Sequence, residues 1–159
     1  NELFMTMKKI IGILFVILII TGLSWGNISK RALTSREVAL TCTTDMATEF
    51  HIHPELTIII DGVEVLVPEN LGVLPSCMTS IHTHDEPHIL HVEAPVQKDF
   101  TLGDFFAVWK KDFSKTQLLD RITTENTEIA VTINGIRVET YEQTLLRDKD
   151  KIVIEYRER

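Results

Sequence analysis

The sequence predicts an α+β domain, compact and mostly antiparallel, with one main helix and a preceding N-terminal signal or anchor helix. Three observations predict it. Asp61-Gly62 and Asn134-Gly135 each sit between runs of β-branched and apolar residues, the strongest short-range hairpin signature. Leu102, Phe105, Phe106 and Trp109 recur at helical spacing. An apolar run over residues 10–25 follows Lys8 and Lys9; it is shorter than the roughly 20 residues a membrane span needs and suits the apolar region of a signal peptide.

The elements follow in order. Residues 1–26 are expected to be a signal peptide or membrane anchor, with Met5 or Met7 as the natural start. A cleaved signal and an uncleaved anchor both place the remainder outside the cytoplasm, secreted or held at the cytoplasmic membrane. Residues 27–41 are polar and mixed and read as a linker. Residues 42–159 read as a single metal-binding α+β domain. Within it, residues 50–60 and 63–67 flank the Asp61-Gly62 turn, and Pro68 ends the second run because it donates no ladder hydrogen bond. Residues 69–78 read as a loop. Residues 81–85 and 89–94 read as a short strand and its return.

Thr101 resembles a helix N-cap, with Asp104 three residues on. The aromatic stripe behind it reads as core packing. Ser114 and Gln117 suggest a second short helix through Arg121. Residues 128–133 and 136–138 flank Asn134-Gly135, residues 139–150 form a polar connection, and residues 151–156 alternate as a last strand.

The chain carries a net charge of −7. Without Glu2, Lys8 and Lys9, 14 basic and 22 acidic residues remain beyond residue 26, a net charge of −8. That argues against nucleic acid as a partner, since phosphates need a basic surface. It favours solubility and the attraction of cations.

All six histidines fall between His51 and His91. Two His-x-His pairs, His51/His53 and His82/His84, precede His88 and His91, with Asp85 and Glu93 beside them. Alternate residues of a strand share one face, so each pair presents two imidazoles in one direction. Neutral imidazole is the commonest metal ligand among side chains. His51, His53, His82, His84, His91 and Glu93 are therefore the candidate metal site, with Asp85, Cys77 and His88 as additional candidates. Asp85 or Glu93 has a second available role, accepting the other ring N–H of a liganding histidine. The face alternation points His88 away from His91. The chemistry expected is a transition metal, copper or zinc before iron.

Cys42 and Cys77 are the two cysteines. In an oxidising compartment an even pair reads first as a disulfide. The alternative makes Cys77 a thiolate ligand, five residues before His82.

The segments HIHPELTIIIDGVEVLVPENLGV, Cys77, IHTHD, ILHVEAP and FTLGDFFAVW occur in that order. Over roughly residues 42–156 this arrangement resembles a family of small exported or membrane-anchored proteins of archaea and bacteria. Its pattern is His-x-His, a strand with a Gly turn, Pro-x-x-(Ile/Leu)-Gly, a Cys, His-Thr-His, Ile-His-(Val/Ile)-Glu and Thr-Leu-Gly-x-Phe-Phe-x-Trp. The resemblance implies that His51, His53, Cys77, His82, His84, His91 and Glu93 belong to the motif. His88 stands where the family usually has Gly, which marks it as incidental. No activity follows from the resemblance.

Three functions are compatible with these residues. A metal-binding module that buffers, carries or senses copper or zinc predicts a site filled by protein ligands. A metal-dependent enzyme predicts an open coordination position at a cleft, with Asp85, Glu86 or Glu93 as general base. A pH-responsive or interaction domain without metal predicts scattered histidines.

Overall fold

The computed structural model describes Met5, residues 31–44 and residues 49–159. The apolar run over residues 10–25, and with it the expected signal or anchor, lies outside the described residues. Among the described residues no helix is long and apolar enough to cross a membrane.

The unit from Leu33 to Arg159 carries two α-helices, α1 (Ser35–Leu40) and α2 (Leu102–Trp109). Its strands are β1 (Cys42–Thr43), β2 (Phe50–Ile52), β3 (Glu55–Ile60), β4 (Val63–Val65), β5 (Val73–Leu74), β6 (Cys77–Thr79), β7 (Ile81–His82) and β8 (His91–Ala94). After α2 come β9 (Gln117–Leu118), β10 (Arg121–Ile122), β11 (Thr127–Ile133), β12 (Ile136–Val138) and β13 (Lys151–Glu158), with a 3-10 turn at Tyr141–Gln143. The result is α+β and mostly antiparallel, as expected.

The largest sheet has the order β12-β11-β13-β3-β4. Both turn signals behave as their dipeptides require. Asp61 and Gly62 adopt φ 52° and 78°, Asn134 and Gly135 φ 52° and 81°. Two positive values match the twist of a tight hairpin, and Asn, Asp and Gly tolerate them best. The last strand, β13, enters the middle of the sheet and runs parallel to β3, the one parallel pairing among the described strands. Alternation buries Leu56, Ile58 and Ile60 of β3 and Ile152, Ile154 and Tyr156 of β13. Leu102, Phe105 and Phe106 of α2 are buried with them, so the aromatic stripe is core. Thr101 and Asp104 form the predicted capping box.

The structure corrects four expectations. The expected loop over residues 69–78 carries β5 and the first two residues of β6, paired antiparallel. The run over residues 50–60 is two strands in different sheets. Pro54, which lacks an amide hydrogen, separates them. Its carbonyl accepts from Leu90 N, while Leu56 N donates to the His88 carbonyl, which ties the two sheets together at this point. The expected helix over residues 114–121 is a β9–β10 hairpin. Ser114 Oγ accepts from the backbone N of Thr116 and Gln117, the local side-chain turn that competes with helix, and Leu119 turns back at φ 54°. The expected linker is in part structure: α1 has its own capping box on Thr34 and Glu37. Its Ala39 is fully buried, and Arg36 Nε meets the buried Asp104 carboxylate at 2.7 Å.

Candidate metal centre

The site is built on a second sheet, three strands in the order β2-β8-β7. Its register explains everything above it. His51 pairs with Glu93 and Ile52 with Val92; Ile81 pairs with Val92 and His82 with His91. Side chains alternate with a period of two, so Ile52, Val92 and Ile81 share one face, and all three are buried in the core. His51, Glu93, His91 and His82 share the other. His53 and His84, two residues beyond His51 and His82, continue that face past the strand ends. One sheet face is therefore hydrophobic and the other carries five imidazoles and a carboxylate.

The rings form a row. Centroids lie 4.4 Å apart for His51 and His53, 4.7 Å for His53 and His91, 4.7 Å for His91 and His84, and 4.9 Å for His84 and His82. Two three-histidine groups result: His51, His53 and His91, and His82, His84 and His91. In each, one ring nitrogen per residue lies within 4.8 Å of the others. Nitrogens ligating one ion at about 2.0–2.1 Å stand at most about 4.2 Å apart, so small ring rotations close either group. His91 belongs to both.

Several features fix the rings. His82 Nδ1 is 3.0 Å from the Thr79 carbonyl. A carbonyl only accepts, so Nδ1 carries the proton and Nε2 keeps its lone pair. Such a bond on the far nitrogen is what orients a metal-binding imidazole. His51 Nε2 lies 3.0 Å from Glu93 Oε1, which puts the proton on Nε2 and leaves Nδ1 as the ligating atom of the neutral ring. Glu93 thus takes the orienting role and joins neither histidine group.

Burial pushes the His82 pKa below the usual histidine value, against the opposing effect of the Thr79 hydrogen bond. Burial and the neighbouring His53 do the same to His91. Both rings are held toward the neutral, ligating form. Among the described residues, His82 Nε2 and His91 Nε2 are buried without a hydrogen-bond partner. The Glu86 carboxylate stands 3.6 Å from His91 Nε2, near enough to attract charge and too far for a hydrogen bond. Buried polar atoms are nearly always satisfied, so two orphaned ring nitrogens on adjacent strands, the one on His82 a lone pair, are chemistry that a transition ion would complete.

Residues with no metal-ligand signature hold the frame. Between the paired histidines, Thr83 points away from them. Its Oγ donates to the Pro68 carbonyl at 2.8 Å and accepts from Leu71 N at 3.0 Å, pinning the 68–72 loop behind the site. Gly72, at φ 73°, lies so close that an added Cβ would strike Thr79 Oγ1 and reach 3.2 Å from the His82 Cβ. Asp148 accepts from His53 N at 3.0 Å, and the His53 carbonyl accepts from Lys149 N, so the polar connection before β13 clamps the outer pair. Positive φ and His-Thr-His alternation hint at Gly72 and Thr83; nothing local marks Asp148.

The remaining candidates separate from the cluster. Cys77 is bonded to Cys42, which removes the thiolate alternative; closing that loop contributes roughly 3–4 kcal/mol. Asp85 is exposed and joins neither histidine group. His88 sits at φ 68°, a conformation glycine adopts most easily, and its ring faces Glu64 at 3.4 Å. Comparison with family models, curated proteins and solved structures returns no match.

Proposed function

We propose that this chain is an extracytoplasmic histidine-based metal-binding protein that buffers, transfers or senses copper or zinc. One observation carries the reading: His82 Nε2 and His91 Nε2 are buried, unpartnered and surrounded by three further imidazoles on one sheet face. Imidazole suits copper and zinc alike. The Cys42–Cys77 disulfide supports an oxidising compartment, and the lysine-flanked apolar run supports export or anchoring. The likeness to small exported proteins with the same histidine pattern is part of this proposal.

Elemental mass spectrometry tests it, on protein exposed to copper or zinc and then desalted. Near-stoichiometric retention, lost in a His82→Ala, His84→Ala double variant, supports the reading. Protein that stays empty overturns it and leaves a pH-responsive or interaction domain.

A second reading, a metal-dependent enzyme, is favoured by a cavity of about 210 Å³ lined by His84, Asp85, Glu86 and His88 among others. It lies against one ligand candidate and offers carboxylates for proton transfer. This reading expects exogenous azide to change the visible spectrum of copper-loaded protein; an unchanged spectrum counts against an open position.

A further inference from the structure

Resting on the metal-binding reading, the geometry points to two successive positions for a single ion, an outer and an inner one, with His91 as the ligand retained between them. The two groups share His91 and nothing else. They also differ in kind. His51 is exposed, with 42 % of its side chain accessible, whereas His82 is 1 % exposed. The outer group therefore meets solvent first.

The inner group holds the stronger donors. Its His82 is fixed by the Thr79 carbonyl, and both orphaned nitrogens, His82 Nε2 and His91 Nε2, belong to it. In the outer group Glu93 orients His51 in the same way and leaves Nδ1 to ligate, but that ring is exposed, so water competes with it for the ion. Ligation at the inner position relieves two unsatisfied buried atoms, each of which costs about 1–3 kcal/mol. Ligation at the outer position relieves at most one.

Simultaneous occupation requires His91 to serve two cations through both nitrogens, as a deprotonated bridge. A single ion needs no such deprotonation. It exchanges His51 and His53 for His82 and His84 one ligand at a time, while His91 stays attached. No bond other than metal–nitrogen coordination forms or breaks, and no electron moves. The outer group is then an exchange route, and the inner group the resting site. Capture at the outer position makes entry to the inner one an intramolecular step, with the rate advantage of high effective concentration.

The test is exchange kinetics on the full chain, with Zn²⁺ and Cu²⁺ each used alone, and a chromophoric chelator as acceptor. The wild type is expected to hold one ion per chain. The His51→Ala, His53→Ala variant changes only exposed or half-exposed side chains, so folding is retained; circular dichroism verifies this. It is expected to keep the same stoichiometry and nearly the same affinity, while loading and release both slow by roughly tenfold or more. Two ions per wild-type chain would overturn the two-position scheme, as would unchanged rates. A large loss of affinity in the variant would also overturn it, because the outer pair would then belong to the resting site. A wild-type chain that holds no ion fails the metal-binding reading itself, and that result is separate from the other three.

Discussion

Glu128 on β11 and His82 on β7 are both polar residues set within strands, and their surroundings are opposite in kind. Glu128 accepts from the Arg137 guanidinium at 3.0 and 3.1 Å and from Arg157 at 3.1 Å. Arg137 continues to Glu139, and Glu139 accepts from the Tyr141 hydroxyl at 2.6 Å. These arginines draw the Glu128 carboxyl down to about 2. His82 keeps one satisfied nitrogen and one that is buried and bare. The large sheet closes its polar contacts within the chain. The small sheet leaves two buried ring nitrogens without a partner, in groups able to hold a metal ion. The difference separates polar groups closed within the fold from polar groups left open to a ligand.

The largest expected effect breaks the small sheet from behind. Gly72→Ala forces a methyl group toward Thr79 and His82 at a left-handed backbone position, and strain plus overpacking costs roughly 2–4 kcal/mol. Urea denaturation measures it, and the same change at Gly62, where nothing lies within 4 Å, costs only the strain.

Next is His91→Ala. Metal present at about 100 times its Kd stabilises a protein by about 2.7 kcal/mol. The variant loses that gain entirely, because both groups need this ring; differential scanning calorimetry with and without zinc reads it. The converse variant sharpens the contrast. His82→Leu removes the buried unsatisfied nitrogen but also the Nδ1 donor to the Thr79 carbonyl; the two effects oppose, so the metal-free chain changes by no more than about 1 kcal/mol while losing its metal. A metal-free chain strongly destabilised by this change would show that His82 serves the fold as Glu128 does.

The two sheets also separate along the pH axis. The folded pKa of His82 and of His91 lies below the ordinary 6.5, so the unfolded state binds the proton more readily. Stability of the metal-free chain is therefore complete above about pH 6.5 and falls as pH drops below it. Metal affinity falls over the same range, because protons compete for the ligands. Glu128 is also lowered, from 4.5 to about 2, so its contribution is present above 4.5 and fades as pH falls toward 2. Its side chain is part-exposed and its arginine partners are exposed, so the pairs are screened, and this second step is the smallest effect. Urea midpoints against pH in the presence of a chelator test both, and added salt is expected to erase only the lower step.

The candidate ligands were legible because their code is local. A strand alternates every two residues, so His-x-His and His-x-Glu state which residues share a face before any partner strand is known. The hairpins at Asp61-Gly62 and Asn134-Gly135 and the Thr101 cap are likewise local chemistry. What brings the three segments together is not local. Register between β2, β8 and β7, the clamp of Asp148 on His53 and the parallel union of β3 with β13 join residues up to 96 positions apart. The break at Pro54 was visible as a proline, but the β-branched and apolar residues on both sides of it outweighed it. At residues 114–121 a side-chain turn on Ser114 won over the helix start that Ser114 and Gln117 suggested.

The three-stranded sheet has a property that neither of its faces has alone. Because its period is two, a one-residue slip in pairing would turn Ile52, Val92 and Ile81 to water and drive the imidazoles into the core. The hydrophobic effect thus proofreads the placement of the imidazoles: any misaligned assembly is rejected as an exposed core. Fidelity of the histidine face is enforced from the opposite side of the sheet.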